Sequence, residues 1–111
     1  MNKILITGGA GFIGSHLTEF LSKKNNIIVI DNFSHGNKIK RLNKNIKIIK
    51  GDVRDGDLLN FYSRNCASIF HLAAVLGVDI VSKKNLETME CEFEGIQNVC
   101  NAAKKNKINK I

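Results

Sequence analysis

Residues 3–14 read KILITGGAGFIG, and this stretch decides the fold. Its first part, Lys3 to Thr7, is a short apolar run of the kind that forms a parallel strand covered by helices on both faces. Its second part is rich in glycine and leads, from Phe12 onward, into a segment whose apolar residues recur at helical spacing. The predicted buried face of that helix consists of Ile13, Leu17, Phe20 and Leu21. The stretch therefore predicts a strand, a tight turn and a helix that ends near residues 24–26.

Apolar runs and helical patterns continue to alternate along the rest of the chain. Three further strands are predicted at residues 27–31, 46–49 and 68–72, and three further helices at about 38–42, from Asp55 to Tyr62 and from Leu86 to Lys105. The predicted apolar face of the long helix consists of Met89, Phe93, Ile96, Cys100 and Ala103. Strands that alternate with helices pair in parallel through right-handed crossovers.

The predicted fold class is therefore α/β, a doubly wound parallel sheet of the Rossmann type. The sheet is expected to lie between two layers of helices, as a three-layer αβα arrangement, with strand order 3-2-1-4. A fifth strand is expected to begin at Ile108, and the sheet is expected to be truncated near that point. A length of 111 residues suits one small domain with a real core.

Composition and charge exclude several classes of protein. An apolar share of 43% is ordinary for a globular domain and argues against disorder. No apolar run approaches a membrane span and no signal peptide is visible, so we expect a cytoplasmic protein without a membrane partner. The net charge of +7 comes from lysines that are spread along the chain without interleaved aromatic residues, which favours a solvated basic surface over nucleic-acid binding.

The three cysteines, Cys66, Cys91 and Cys100, lack the spacing of a zinc site. We interpret them as reduced, buried small apolar residues, and we predict no metal site.

The glycine-rich turn carries the strongest functional signal because it lies between a strand and a helix. A tight turn and close backbone approach require glycine, and the N–H groups and positive dipole end of the helix suit a pyrophosphate. Two registers fit. Gly9, Gly11 and Gly14 give GxGxxG, whereas Gly8, Gly11 and Gly14 give GxxGxxG, and the spacing does not decide between them.

Asp31 ends the second predicted strand, 20 positions after Gly11, where a carboxylate can accept hydrogen bonds from the hydroxyls of an adenosine ribose. A 2′-phosphate would meet a like charge there, so the expected cofactor is NAD rather than NADP. Asp52, after the third strand, could meet the adenine amino group, although a turn aspartate explains it equally well. His71 lies in an apolar strand and is interpreted as a core histidine.

Four motifs in order carry a resemblance to a known family: residues 7–17, 31–34, 51–55 and 71–74. With them the chain resembles the extended short-chain dehydrogenase/reductases, and more narrowly the NAD-dependent epimerase/dehydratase branch that acts on nucleotide sugars. The cofactor residues implied by the resemblance are Gly8, Gly11, Phe12, Ile13 and Gly14 for the pyrophosphate, Asp31 and Asn32 for the ribose, Asp52 and Val53 for the adenine, and Leu72, Ala73 and Ala74 for the nicotinamide side.

The resemblance also implies a reaction. In this family, hydride passes from a sugar carbon to NAD, and the keto-sugar is epimerised, dehydrated or decarboxylated before the hydride returns. The catalytic Ser or Thr and the Tyr-x-x-x-Lys pair follow the fifth strand, so we assign no catalytic residue within residues 1–111. We expect this range to be a partial NAD-binding domain without the catalytic and substrate-binding parts, which binds cofactor without turnover.

Two positions in the long helix depart from the family pattern. Glu92 stands where the family usually has Asn, which replaces an amide that supports the active site with a carboxylate. Leu86 stands where Pro usually follows Asn85. The resemblance further implies a homodimer formed through residues near Glu87 to Cys100.

The sequence is also compatible with two other functions. One is a non-catalytic NAD-binding module that senses cofactor or mediates assembly, and the other, less favoured, is a basic nucleic-acid binder whose affinity would fall steeply with salt.

Overall fold

Four parallel strands with helices on both faces form the described part of the chain, which in this computed structural model is residues 1–74 and 85–111. The elements are β1 (Asn2–Thr7), α1 (Phe12–Leu21), β2 (Asn25–Asp31), β3 (Ile46–Lys50), α2 (Gly56–Tyr62), β4 (Ser68–His71) and α3 (Asn85–Lys105). The strand order is β3-β2-β1-β4, so the predicted fold class and the order 3-2-1-4 are confirmed.

The first strand occupies the centre of the sheet. Ile4 is in register with Ile27 of β2 on one side and with Ser68 of β4 on the other. The connections therefore leave β1 toward opposite edges of the sheet, and ligands of doubly wound folds bind outside the carboxyl ends of the strands at such a switch point.

Alternate residues of the strands build two separate cores, one on each face of the sheet. One core is formed by Ile4, Ile6, Ile27, Val29 and Ile46, with Leu17 and Leu21 of α1 packed against it. The other contains Leu5, Ile28, Ile30, Leu59, Ile69, Val99, Ala102 and Ala103. Helix α1 therefore covers one face, and α2 and α3 cover the other.

Helix α1 packs on the sheet through small residues together with Leu17 and Leu21 of the predicted apolar face. Gly14, Ser15 and Thr18 are buried, whereas Phe12, Ile13 and Phe20 are exposed. A Cβ on Gly9 would lie 2.8 Å from the Val29 side chain and 2.9 Å from the Thr18 hydroxyl. At Gly9 the helix is thus too close to the strand for a larger side chain. The predicted face was right for Leu17 and Leu21 and wrong for Ile13 and Phe20.

The predicted face of α3 was also wrong in most positions. Val99, Ala102 and Ala103 are buried, while Met89, Phe93, Ile96 and Cys100 are exposed. A Cβ on Gly95 would lie 2.8 Å from the Val53 side chain, so small residues again mark the side of closest approach. Of the cysteines, Cys66 is buried as predicted, Cys100 is not, and the side chain of Cys91 lies outside the described part.

The helix predicted at residues 38–42 is absent, because other partners satisfy the backbone N–H groups there. The N–H of Lys38 donates to the Ala10 carbonyl (2.8 Å), that of Ile39 to the Asn37 side chain (3.0 Å) and that of Lys40 to the Glu19 carboxylate (3.1 Å). These bonds hold the segment against α1 in an irregular conformation.

Residues 108–111 are not in a strand, but they lie beside β4. Ile108 is buried, and the Ile69 N–H donates to the Lys110 carbonyl at 3.0 Å. The fifth strand predicted to begin at Ile108 is therefore not formed within residues 108–111, although this segment is hydrogen-bonded to β4. In the described ranges, no helix combines the length and the hydropathy that a membrane span requires.

Candidate functional site

The turn after β1 is tied to the sheet on one side and opens into α1 on the other. The Gly8 N–H donates to the Ile30 carbonyl (2.8 Å), and the Gly11 N–H donates back to the Gly8 carbonyl (3.1 Å). Gly8 has φ +71°, a conformation that L side chains rarely adopt. Gly11 is the N-cap of α1 and has no side chain to cap the helix, so the first N–H groups point outward as donors for an anion.

The glycines of this turn differ in what an added Cβ would meet. On Gly8 it would lie 2.7 Å from the Ala73 nitrogen, and on Gly14 it would collide with the Gly8 carbonyl oxygen. On Gly11 its nearest neighbour would be the Gly8 oxygen at 3.4 Å, an ordinary contact. Gly8, Gly9 and Gly14 are therefore required by the packing of the protein itself, which accounts for both glycine registers, whereas Gly11 borders open space.

Asp31 joins the turn after β1 to the loop after β2. Its carboxylate accepts the Ala10 N–H at 2.9 Å through Oδ2 and the Phe33 N–H at 2.8 Å through Oδ1. Asn32 is exposed, and its side chain accepts the Ser34 N–H at 3.0 Å. The acid predicted from its spacing therefore lies next to the glycine turn, and it also has a structural role that the sequence did not reveal.

The loop after β3 holds an ion pair that sequence reasoning missed. The Arg54 guanidinium donates to the Asp52 carboxylate at 2.7 Å, and the Glu90 carboxylate of α3 lies 4.0 Å from the same guanidinium. The hydrogen bond from Arg54 lowers the pKa of the Asp52 carboxyl below its ordinary value of 3.8, with partial burial opposing that change. The sequence signal for this ion pair was an arginine two positions after an aspartate in a predicted turn.

Val53, the neighbour of Asp52, is buried against Gly95 of α3, and its carbonyl accepts the Asn98 side-chain amide at 2.9 Å. Its side chain is therefore committed to the core, and only its backbone faces the loop.

Thr7 and His71 form a second contact that the sequence did not reveal. The two residues are in register at the carboxyl ends of β1 and β4, and Thr7 Oγ1 lies 2.7 Å from His71 Nδ1. The same hydroxyl oxygen accepts the N–H groups of Leu72 (3.1 Å) and Ala73 (3.3 Å). His71 is half-buried rather than a full core residue. Burial lowers the pKa of its imidazole from the ordinary 6.5, with the charge of Glu92 acting in the opposite direction.

We call the four loops at residues 8–14, 31–34, 51–55 and 72–74 the carboxyl-edge site. Each follows the carboxyl end of one strand, so the fold brings every predicted site residue to one edge of the sheet. The first loop touches the fourth through Gly8 and Ala73, and it touches the second through Ala10 and Asp31. In the described ranges, no group of acidic, cysteine and histidine side chains is arranged to hold a metal ion.

Comparisons with known proteins point to one family. The sequence model of the NAD dependent epimerase/dehydratase family matches residues 4–111. A UDP-N-acetyl-alpha-D-glucosaminuronate decarboxylase from Bacillus cytotoxicus is 41% identical over 108 residues, which cover 95% of this chain and 34% of the relative. The chain spans about a third of the length of the curated relatives it matches.

Solved structures give the same result. A UDP-N-acetylglucosamine 4-epimerase from Methanobrevibacter ruminantium, in complex with UDP-N-acetylmuramic acid, superposes with a TM-score of 0.88 at 33% identity, over 96% of this chain and 35% of that one. A dTDP-glucose 4,6-dehydratase from Streptomyces venezuelae, with NAD and TYD bound, superposes with a TM-score of 0.87 at 27% identity, over 96% of this chain and 37% of that one.

Proposed function

The chain belongs to the NAD-dependent epimerase/dehydratase family, and from that premise we propose that it forms the NAD-binding part of an enzyme that remodels nucleotide sugars. The family is NAD-dependent. The observation that carries the proposal is the uncapped start of α1 at Gly11, where an added Cβ would have only the Gly8 oxygen as a close neighbour.

The pyrophosphate is proposed to bind at the turn after β1. The N–H groups at the start of α1 are unsatisfied by any capping side chain, and the helix dipole favours an anion there. The pyrophosphate residues in this proposal are Gly8, Gly11, Phe12, Ile13 and Gly14. Phe12 and Ile13 have exposed side chains, which fits residues that present their backbone to a ligand rather than building the core.

The adenosine half is proposed to bind along the loops after β2 and β3. Asp31 keeps lone pairs beyond those used by Ala10 and Phe33, so its carboxylate can accept ribose hydroxyls, with Asn32 beside it. A 2′-phosphate would face that charge, which favours NAD over NADP. Asp52 and the backbone of Val53 are proposed to face the adenine. Its amino group would donate to the Asp52 carboxylate in competition with Arg54, which binds both carboxylate oxygens.

The nicotinamide side is proposed to lie against Leu72, Ala73 and Ala74. NAD bound there would accept a hydride from a sugar carbon and later return it. That step needs a base for the hydroxyl proton within hydrogen-bond reach. Tyr62, the single tyrosine, lies at the end of α2 and packs against the core. His71 Nδ1 is engaged by Thr7. Within residues 1–74 and 85–111, neither of these two side chains is placed to act as that base, and we propose that residues 1–111 bind NAD without turnover.

Calorimetry with this chain tests the proposal directly. We expect NAD to bind, NADP to bind more weakly, and no NAD reduction with UDP-glucose or dTDP-glucose. Absence of NAD binding by a folded chain would refute the cofactor site. Reduction of NAD above a Gly11→Val control would show that the chain contains a base that we have not identified.

We also propose that α3 contacts a second copy of this chain. Leu86, Met89, Phe93 and Ile96 are between 55% and 70% exposed, and they follow one another at spacings of three and four residues. Such a stripe is the pattern of a helix that packs against another helix. Its partner in this proposal is the same stripe of a second chain, which makes the interface symmetric.

A further inference from the structure

We propose that His71 is a positioning residue for the carboxyl-edge site. With Nδ1 unprotonated, its imidazole accepts the Thr7 hydroxyl proton and so orients the hydroxyl oxygen to hold the Leu72–Ala73 segment against Gly8. The inference rests on the proposed function, because this segment borders the place assigned to the nicotinamide side of NAD.

A count of donors and acceptors at the Thr7 hydroxyl fixes the direction of each hydrogen bond. A hydroxyl has one proton to donate and two lone pairs to accept with. The N–H groups of Leu72 and Ala73 occupy the lone pairs, at 3.1 and 3.3 Å. The hydroxyl proton must therefore point to His71 Nδ1, at 2.7 Å, and Nδ1 must be the acceptor. The neutral imidazole then carries its proton on Nε2.

Burial of Thr7 prevents water from taking part in these hydrogen bonds. Thr7 is 0% exposed, so water cannot replace any partner of its hydroxyl. If His71 became protonated, Nδ1–H would compete with the two amides for the lone pairs, and the hydroxyl proton would lose its acceptor. The Leu72 N–H also donates to the Thr7 carbonyl at 3.0 Å, so Leu72 stays attached to β1 without the hydroxyl. The Ala73 N–H, at 3.3 Å, makes the longer bond to the hydroxyl oxygen, and competition for the lone pairs therefore weakens the attachment of Ala73.

The site depends on this segment because Gly8 is in contact with it. A Cβ on Gly8 would lie 2.7 Å from the Ala73 nitrogen and 2.8 Å from the Leu72 carbonyl carbon. On its other side, Gly8 is hydrogen-bonded to Ile30. A shift of Ala73 therefore changes the space between the glycine turn and the loop after β4.

The surroundings of His71 set the direction of the pH effect. Glu92 of α3 contributes the charge that acts on the imidazole, Gly95 of α3 packs near its Cε1 carbon, and Thr7 of β1 faces its Nδ1. Burial outweighs the charge of Glu92 and lowers the pKa below 6.5. His71 is therefore neutral at pH 7.5 and becomes protonated on acidification, which predicts weaker NAD binding at low pH.

The first test compares NAD affinity at pH 7.5 and pH 5.5 by calorimetry. The unmutated chain should lose about three- to tenfold in affinity at the lower pH, the size expected for one net hydrogen bond. His71→Asn presents an acceptor that does not titrate, so this variant should keep its affinity at both values. Thr7→Ser should behave as the unmutated chain, and Thr7→Val should bind weakly at both. An equal pH dependence in the unmutated chain and in His71→Asn would overturn the inference.

The second test needs neither NAD nor a variant. Long-range ¹H–¹⁵N spectra of the free chain at pH 7.5 should show His71 as the Nε2–H tautomer, and amide exchange at Ala73 should accelerate on acidification relative to its intrinsic rate. A Nδ1–H tautomer overturns the inference even if NAD binds. The expected tautomer in a chain that binds no NAD would support the hydrogen-bond arrangement and refute only the cofactor assignment.

Discussion

At Gly11, the backbone has φ −76° and ψ −173°, a conformation open to any residue, and an added Cβ would have an ordinary contact as its nearest neighbour. Gly11→Val should therefore leave the fold intact while its branched side chain fills the space proposed for the pyrophosphate. We expect NAD binding to be lost by calorimetry, with an unchanged circular dichroism spectrum and a urea midpoint lowered only by the small cost of valine at an N-cap.

Gly14→Ala is the matched contrast, because its Cβ would collide with the Gly8 carbonyl oxygen. This variant should lose stability by about 1–3 kcal/mol through overpacking, measured by urea denaturation. Equal stability of the two variants would contradict the assignment of Gly14 to internal packing and of Gly11 to the space for the ligand.

Asp31→Asn should narrow the preference for NAD over NADP, because it removes the charge that would repel a 2′-phosphate. The amide oxygen can still accept one of the two backbone N–H groups now bound at 2.9 and 2.8 Å, so the loop is less disturbed than by alanine. Titration of both dinucleotides against both proteins measures the change. If the ratio of the NAD and NADP affinities did not change, Asp31 would not be the residue that discriminates between the two cofactors.

The sequence allowed some of these residues to be predicted and not others. The glycines and Asp31 were accessible because their spacing along the chain encodes a local strand, turn and helix. Thr7 and His71 are 64 positions apart, and only the pairing of β1 with β4 makes them neighbours. Neither residue type is distinctive by itself, so no local pattern could reveal the pair.

Helix α3 has two faces with different expected roles. Val99 is buried between the helix and the sheet, so Val99→Ala should lower the free energy of unfolding by about 1–3 kcal/mol, measured by urea denaturation. Phe93 is exposed, so Phe93→Ser should change that free energy by less than about 0.5 kcal/mol.

The same exposed substitution tests the proposed contact between copies. Phe93→Ser should shift the chain toward the monomer in sedimentation experiments, whereas Val99→Ala at matched folded concentration should not. A monomeric unmutated chain at all concentrations would contradict the interface.

Strands were predictable at the level of elements because each is a continuous apolar run that ends in turn residues. Buried helix faces were predictable only in part. Leu17 and Leu21 pack on the sheet as expected, but at the closest approach α1 and α3 carry glycine, serine, threonine and alanine instead of large apolar residues. The segment at 38–42 shows a further limit, since its N–H groups are satisfied by Ala10 and Glu19, which are distant in sequence.

For the whole molecule, two groups predict the same response to acid. The folded-state pKa of His71 is below 6.5. The stability that neutral His71 contributes is therefore fully present above pH 6.5, and it should be lost as the pH falls through the folded-state pKa. The folded-state pKa of Asp52 is below 3.8, so its contribution should be present above 3.8 and lost as pH falls through that lower value.

Urea denaturation between pH 7.5 and pH 3 checks this response. The unmutated chain should lose stability on acidification both below pH 6.5 and below pH 3.8. His71→Asn should remove the pH dependence that begins below pH 6.5 and leave the one below pH 3.8 unchanged. If the free energy of unfolding increased as the pH was lowered from 6.5 to 5, the lowered folded-state pKa of His71 would be contradicted.

The central place of β1 also sets the order in which the molecule can assemble. One edge of β1 pairs with β2, which follows it closely, but the other edge stays uncovered until β4 arrives, with 64 positions separating Thr7 from His71. Closing such a long loop costs chain entropy before any contact repays it, and sheets built from distant parallel pairings fold slowly. The half of the site formed by the glycine turn and Asp31 can therefore take shape early, while the half formed by Leu72 to Ala74 must come late. We therefore expect a nascent chain to pass through a stage in which the glycine turn already exists and its opposite border does not.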